Sequence, residues 1–256
     1  MIKAKKQFGQ NFLKDVFYKE KIIQSMPHTD NIVVEIGPGL GDLTEKLLLS
    51  KEVVAIEIDD RLYQGLRVKF DRALREGRFT IINEDVMELR RRGDFIDRPY
   101  DLIANLPYYI ATAIILDALQ DRNCKNILVM VQKEVAQKFT AAPGTKEYTS
   151  LAILSSMVGE ANYLFDVPKE AFTPQPKVTS AVFEIRKNDN EYDPAFASFL
   201  KLAFAQPRKT LMKNLTPHFD KEKLSQLFAE CDLPETIRPH EVEASLFYHL
   251  FSKIMG

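Results

Sequence analysis

Short, wholly apolar runs alternate with segments whose apolar residues recur every three or four positions. Residues 31–36, 52–58, 79–83, 100–104 and 126–132 are apolar nearly throughout and rich in Val and Ile, which predicts strands with both faces covered by helices. Between them, residues 43–49, 61–74 and 112–119 carry apolar positions at helical spacing. This βαβ rhythm predicts a doubly wound, mostly parallel sheet. Residues 164–167 and 178–185 read as two more strands, separated by the proline-rich loop 172–177, and add a hairpin-like edge. After residue 187 the strand pattern stops, and 195–205, 221–231 and 243–254 read as helices. The expected organisation is an α/β domain over 1–187 and a small all-helical domain over 188–256.

Composition narrows the class without choosing a function. At 256 residues and 45% hydrophobic, the chain can bury a large core. With 35 Lys and Arg against 36 Asp and Glu, any nucleic-acid partner has to be met by a local basic patch. Cys124 and Cys231 stand far apart with no clustered histidines, which argues against a disulfide frame or a metal site and fits a reducing cytoplasm. No run approaches the ~18 apolar residues of a membrane span, and the N-terminus lacks the apolar stretch of a secretion signal. Cytoplasmic residence with no membrane partner is expected.

The candidate chemistry sits at strand ends. Gly37-x-Gly39-x-Gly41 follows the first strand, where glycines let backbone approach a ligand. The third glycine of a dinucleotide fingerprint falls at Asp42 in this register and is absent, which disfavours a nicotinamide oxidoreductase. The pattern is instead like the first motif of S-adenosylmethionine methyltransferases. Glu57 closes the second strand about 20 residues on, where an acid accepts hydrogen bonds from ribose hydroxyls; Asp59, on the same face by strand alternation, competes for the role. Asp85 follows the third strand, as an acceptor for the cofactor's adenine amine or as a plain helix cap.

Asn105-Leu106-Pro107-Tyr108 follows the fourth strand. An adenine N6 amine is a poor nucleophile, because its lone pair is delocalised into the ring. The Asn105 side-chain oxygen and the Leu106 carbonyl suit its two N–H groups, Pro107 fixes the carbonyl's direction, and Tyr108 stacks on the base. Neither a metal nor a strong base is needed, so catalysis is mostly positioning and desolvation.

With these motifs, Lys6-Gln7-Phe8-Gly9-Gln10-Asn11-Phe12-Leu13, Phe172-Thr173-Pro174-Gln175-Pro176-Lys177-Val178 and Arg208-Lys209-Thr210-Leu211 make the sequence resemble, over essentially its whole length, the ribosomal RNA small-subunit adenine N6,N6-dimethyltransferase family. The resemblance implies that Asn11 and Leu13 join Gly37, Glu57, Asp85 and Asn105 in holding S-adenosylmethionine. It implies dimethylation of two adjacent adenosines in a hairpin loop near the 3′ end of 16S-type RNA, met in a pre-30S particle by a monomeric enzyme. The related large-subunit resistance methyltransferases share the Asn-x-Pro-aromatic core but usually lack the Arg208–Leu211 element. An assembly factor with methylation secondary is the other alternative. This chain departs from the family at Tyr109, where asparagine is common, and at Ala111, where serine is usual.

Lys5, Lys6, Lys133, Lys177, Arg208, Lys209 and Lys213 are the expected RNA contacts, with Lys3, Lys14 and Lys138 beside them and with Phe8, Phe12 and Phe172 lining the target-base pocket. Arg90-Arg91-Arg92 reads equally as an RNA contact or a solvated face.

Overall fold

A computed structural model describes residues 10–93 and 95–255. Contacts divide the chain into two compact units. The first, residues 1–136 and 162–188, contains most of the sheet. Strands β1 (Phe12–Leu13), β2 (Ile32–Ile36), β3 (Val53–Ile56), β4 (Phe79–Ile82), β5 (Tyr100–Asn105), β6 (Cys124–Gln132), β7 (Gly159–Val167), β8 (Phe172–Thr173) and β9 (Ser180–Lys187) alternate with helices α1 (Val16–Gln24), α2 (Asp42–Leu47), α3 (Asp60–Lys69), α4 (Asp71–Arg75), α5 (Val86–Arg92), α6 (Ala111–Gln120) and α7 (Lys133–Thr140).

Seven strands form one sheet in the order β4-β3-β2-β5-β6-β9-β7. β2, β3, β4, β5 and β6 pair in parallel, whereas β9 runs antiparallel to β6 with Phe183 opposite Val129. The two late strands predicted from sequence are thus neighbours, with the later one on the inside. β2 and β3 are buried at every position, because helices cover both faces. Parallel pairing aligns the carboxyl ends of β2, β3, β4 and β5, where a doubly wound sheet binds its ligand.

Helix starts are set locally. The side chains of Asp15, Asp59 and Asp85 accept the backbone N–H two residues on, at the heads of α1, α3 and α5. The single helix expected over 61–74 is two, because Phe70 leaves helical dihedrals (φ −112°, ψ 24°) and turns its ring edge-on to Phe79. β1 and β8 make a separate two-stranded ladder, Leu13 opposite Phe172, that ties the N-terminal segment to the proline-rich loop. Both were read as motifs and not as strands, since two-residue strands carry no periodicity.

The second unit takes residues 137–161 together with 189–256. It therefore includes α8 (Ser150–Val158), which lies inside the first domain expected from sequence, as well as α9 (Pro194–Ala203), α10 (Leu211–Leu215), α11 (Lys221–Glu230) and α12 (Ala244–Met255). Its core is aromatic: Phe196, Phe199 and Phe251 meet at ring separations of 5.3 to 6.4 Å. No helix among the described residues is long and apolar enough to cross a membrane.

Candidate active site

At the carboxyl ends of β2 to β5 lies a cleft of about 1010 Å³ including its open mouth. Its walls come from the glycine turn, Glu57, Glu84 to Val86, Asn105 to Ile110, and the N-terminal residues Gln10 to Leu13. Every residue expected to hold the cofactor lies on it: Asn11, Leu13, Gly37, Glu57, Asp85 and Asn105.

The glycine turn is left-handed at three positions, with φ of 68° at Gly37, 61° at Gly39 and 74° at Gly41. A side chain at Gly39 would come within 3.1 Å of the Phe12 ring, and one at Gly41 within 2.6 Å of Phe70. Gly39 thus keeps the floor of the cleft open beneath Phe12, whereas Gly41 lets the start of α2 pack against α3.

Glu57 is 4% exposed and accepts backbone N–H groups from Gly39 at 3.2 Å and Asp59 at 2.8 Å. Burial raises its pKa, and those two hydrogen bonds work against the rise. Asp59 has another task. β3 ends at Ile56, so strand alternation no longer governs the two carboxylates, and Asp59 turns away to cap α3 and pair with Arg61 at 2.7 Å. Only Glu57 of the two faces the cleft. Asp85 caps α5 through Oδ1 at 2.8 Å and also lines the cleft.

Glu35, buried in β2, also reaches the cleft, although its position in an apolar strand gives no sign in the sequence of a titrating group. Thr44 donates to it at 2.6 Å, and burial pushes its pKa up to about 8.

Asn105, which ends β5, and Leu106 and Tyr108 after it are fixed by partners from elsewhere in the fold. Asn105 donates through Nδ2 to the Asn11 carbonyl at 3.2 Å. The Leu106 N–H is bonded to the Met130 carbonyl at 3.1 Å. The Tyr108 hydroxyl meets Ser180, at the start of β9, at 2.6 Å, and burial raises its pKa. Asn105 Oδ1 is thereby left as the acceptor.

A residue model of the ribosomal RNA adenine dimethylase family matches residues 1–254. The chain belongs to this family. It is 50% identical to a ribosomal RNA small subunit methyltransferase A from Aliarcobacter butzleri, covering 99% of this chain and 97% of the relative, and 51% identical to one from Sulfurimonas denitrificans, covering 98% and 93%. In fold it is similar to a dimethyladenosine transferase from Plasmodium falciparum (TM-score 0.78, 24% identity, 93% of this chain and 95% of that one) and to the 23S rRNA methyltransferase ErmE (TM-score 0.74, 22% identity, 96% and 100%). The chain is a methyltransferase, and its cofactor is S-adenosylmethionine. The cleft fits that group: an acidic side chain for ribose hydroxyls, a floor kept free of side chains at Gly39, and the Asn105 amide beside them.

The described residues among those expected to touch RNA fall in both units. Lys5, Lys6 and Phe8 lie outside the described residues, as does Lys3. Lys133 pairs with Asp166 at 2.6 Å. Lys177, Arg208, Lys209 and Lys213 are exposed. Phe172 does not line the target-base pocket: it is 2% exposed, within the core cluster that contains Leu13 and Phe165, because β8 turns it inward opposite Leu13. Arg90 is no RNA contact either. Its side chain, 7% exposed, pairs with Asp117 at 2.6 Å and Asp121 at 3.3 Å, and its guanidinium lies 3.7 Å from the Phe95 ring centroid. Arg91 and Arg92 pair with Glu88 and Glu84 on the surface of α5.

Proposed function

We propose that this protein dimethylates N6 of two adjacent adenosines in a hairpin loop near the 3′ end of small-subunit, 16S-type ribosomal RNA, within a partly assembled particle in the cytoplasm. The cofactor supplies an electrophilic methyl group on a positively charged sulfur. The chain's own work is to present the amine. In the first round Asn105 Oδ1 and the Leu106 carbonyl accept the two N6–H bonds, and in the second one of them accepts the single N–H that remains, drawing the nitrogen toward tetrahedral geometry with its lone pair facing the methyl. Pro107 fixes the carbonyl, and the Tyr108 ring, tethered to Ser180, stacks on the base. Glu57 holds the ribose of the cofactor, and Asp85 its adenine. The methylated amine is acidic enough to release its proton to water, so no side-chain base is assigned. Two rounds on each of two bases make four transfers.

The observation that carries this reading is the bond from Asn105 Nδ2 to the Asn11 carbonyl, because it turns the amide nitrogen toward Asn11 and leaves Oδ1 as the acceptor for the substrate. The small-subunit target rests on the relatives at about 50% identity, whose names specify it; the likeness to ErmE, at 22% identity, is one of fold. The exposed Lys177 belongs to the RNA surface of the first unit. In the second, the loop bearing Arg208 and Lys209 is stiffened by the buried Asn214 side chain, which bonds both the N–H and the carbonyl of Gln206. Residues 1–187 act as the cofactor-binding domain and 188–256 as the RNA-binding domain, with residues 137–161 packed in the latter's unit.

Labelled S-adenosylmethionine should be incubated separately with unmethylated small subunits, large subunits and DNA, and the modified nucleoside identified by mass. Dimethyladenosine in small-subunit RNA is expected. Label only in large-subunit RNA or DNA overturns the substrate.

A further inference from the structure

Lys19 is a charged side chain in an unusual place. It lies on α1, is 7% exposed as a residue, and lines the same cleft as Glu57 and Asn105. Its Nζ is 3.5 Å from Asp42 Oδ1, too long for a strong hydrogen bond, and makes no hydrogen bond among the described residues. The other Asp42 oxygen, Oδ2, is taken by Lys14 at 2.9 Å. One carboxylate therefore faces two ammonium groups, and a surplus positive charge is left beside the cleft. Burial works against ionisation of Asp42, but the hydrogen bond from Lys14 and the charges of Lys14, Lys19 and Lys69 outweigh it and hold the carboxyl below its usual range. A nearly buried cation with an incomplete partner set is costly unless a ligand completes it.

The cofactor offers one anionic group. S-adenosylmethionine carries a sulfonium, an α-ammonium and a single α-carboxylate, so only the carboxylate complements Lys19. Placement agrees: Glu57 and Asp85, assigned to the ribose and adenine, follow β3 and β4, whereas Lys19, on α1, stands beside Asp42, the first residue of α2 after the glycine turn. We infer that Lys19 is the counter-ion of the cofactor's α-carboxylate, directed into the cleft by Asp42. This rests on the assignment of the cofactor and adds to it the residue that recognises its amino-acid end. Lys19 acts in binding and not in methyl transfer.

The test compares two ligands by calorimetry: S-adenosylhomocysteine, which has the amino-acid end, and 5′-methylthioadenosine, which lacks it. Lys19→Met keeps the apolar stem and removes the charge. It is expected to weaken S-adenosylhomocysteine about ten- to a hundredfold, the value of a charge-assisted hydrogen bond, while changing methylthioadenosine by less than about twofold. Lys19→Arg should retain most of the preference for S-adenosylhomocysteine. Unchanged S-adenosylhomocysteine affinity in Lys19→Met, or an equal loss for both ligands, overturns the inference. Should Lys19→Met fail to fold, decarboxylated S-adenosylhomocysteine with the unsubstituted protein decides instead: weaker binding is expected, and binding as tight as the parent overturns the inference. If the unsubstituted protein binds neither adenosine ligand, the cofactor assignment itself falls.

Discussion

The Asn105 amide and the Asn11 carbonyl, 94 positions apart in the chain, are joined at 3.2 Å. This bond orients a side chain that we propose presents the amine. Asn105→Ala should lower kcat by about 10² to 10³, the usual cost of losing one preorganised polar contact to the reacting group. Cofactor affinity should change much less. Single-turnover label transfer alongside calorimetric Kd separates the two, and an Asn105→Ala enzyme with near-normal kcat would remove Asn105 from the chemistry.

Tyr108 has two separable parts, a ring that we propose stacks on the base and a hydroxyl held by Ser180 at 2.6 Å. Tyr108→Phe and Ser180→Ala should each reduce kcat/KM for RNA only a fewfold. Tyr108→Ala, which loses base stacking worth about 1 to 3 kcal/mol, should reduce it by roughly ten- to a hundredfold. Equal effects of the Phe and Ala variants would mean that the hydroxyl is what matters.

Glu35 makes stability depend on pH. Its folded-state pKa, raised by burial from 4.5 to about 8, lies above its unfolded value, so folding favours the protonated form. The contribution is fully present below about pH 4.5 and is lost as pH rises toward 8, with a slope of at most about 1.4 kcal/mol per pH unit. Urea unfolding of the ligand-free protein should therefore show Glu35→Gln gaining on the unsubstituted protein between pH 5 and 8. Parallel curves across that window would show that Glu35 does not titrate there.

Gly41 and Gly77 have nearly the same left-handed backbone, with φ of 74° and 71°, but different surroundings. An added Cβ meets Phe70 and Leu66 at 2.6 and 2.7 Å at Gly41, and nothing within 4 Å at Gly77. Gly77→Ala should cost about 1 kcal/mol of backbone strain, and Gly41→Ala about 2 to 4 kcal/mol once overpacking is added. Denaturation midpoints report the difference directly; similar costs would mean that α3 yields.

Arg208 and Lys209 are exposed on a fixed loop, and their replacement should act through phosphate contacts. The double variant to Ala should weaken RNA binding and flatten the dependence of log Kd on log salt by about 0.7 per lost contact. Weaker binding with an unchanged salt slope would argue that the loop reads shape or bases instead.

Much of the site could be read without coordinates because it is local in sequence. Gly37, Gly39, Glu57 and Asn105 to Tyr108 each follow a strand that its own apolar run defines, and parallel pairing brings strand ends together wherever such a fold forms. Sequence by itself thus determined the mostly parallel α/β fold and the methyl donor, and it marked the strand ends where candidate residues stand. Tertiary structure decided what depends on partners distant in the chain. It buried Phe172 against Leu13, withdrew Arg90 into a pair with Asp117, brought Gln10 to Asp59 at 3.2 Å, and set β9 between β6 and β7. It also brought Lys19 to the cleft beside Asp42, although nothing in the spacing of α1 marks that lysine. Periodicity reports which face of an element is apolar, but the group that meets a polar side chain is chosen by packing between segments tens of residues apart.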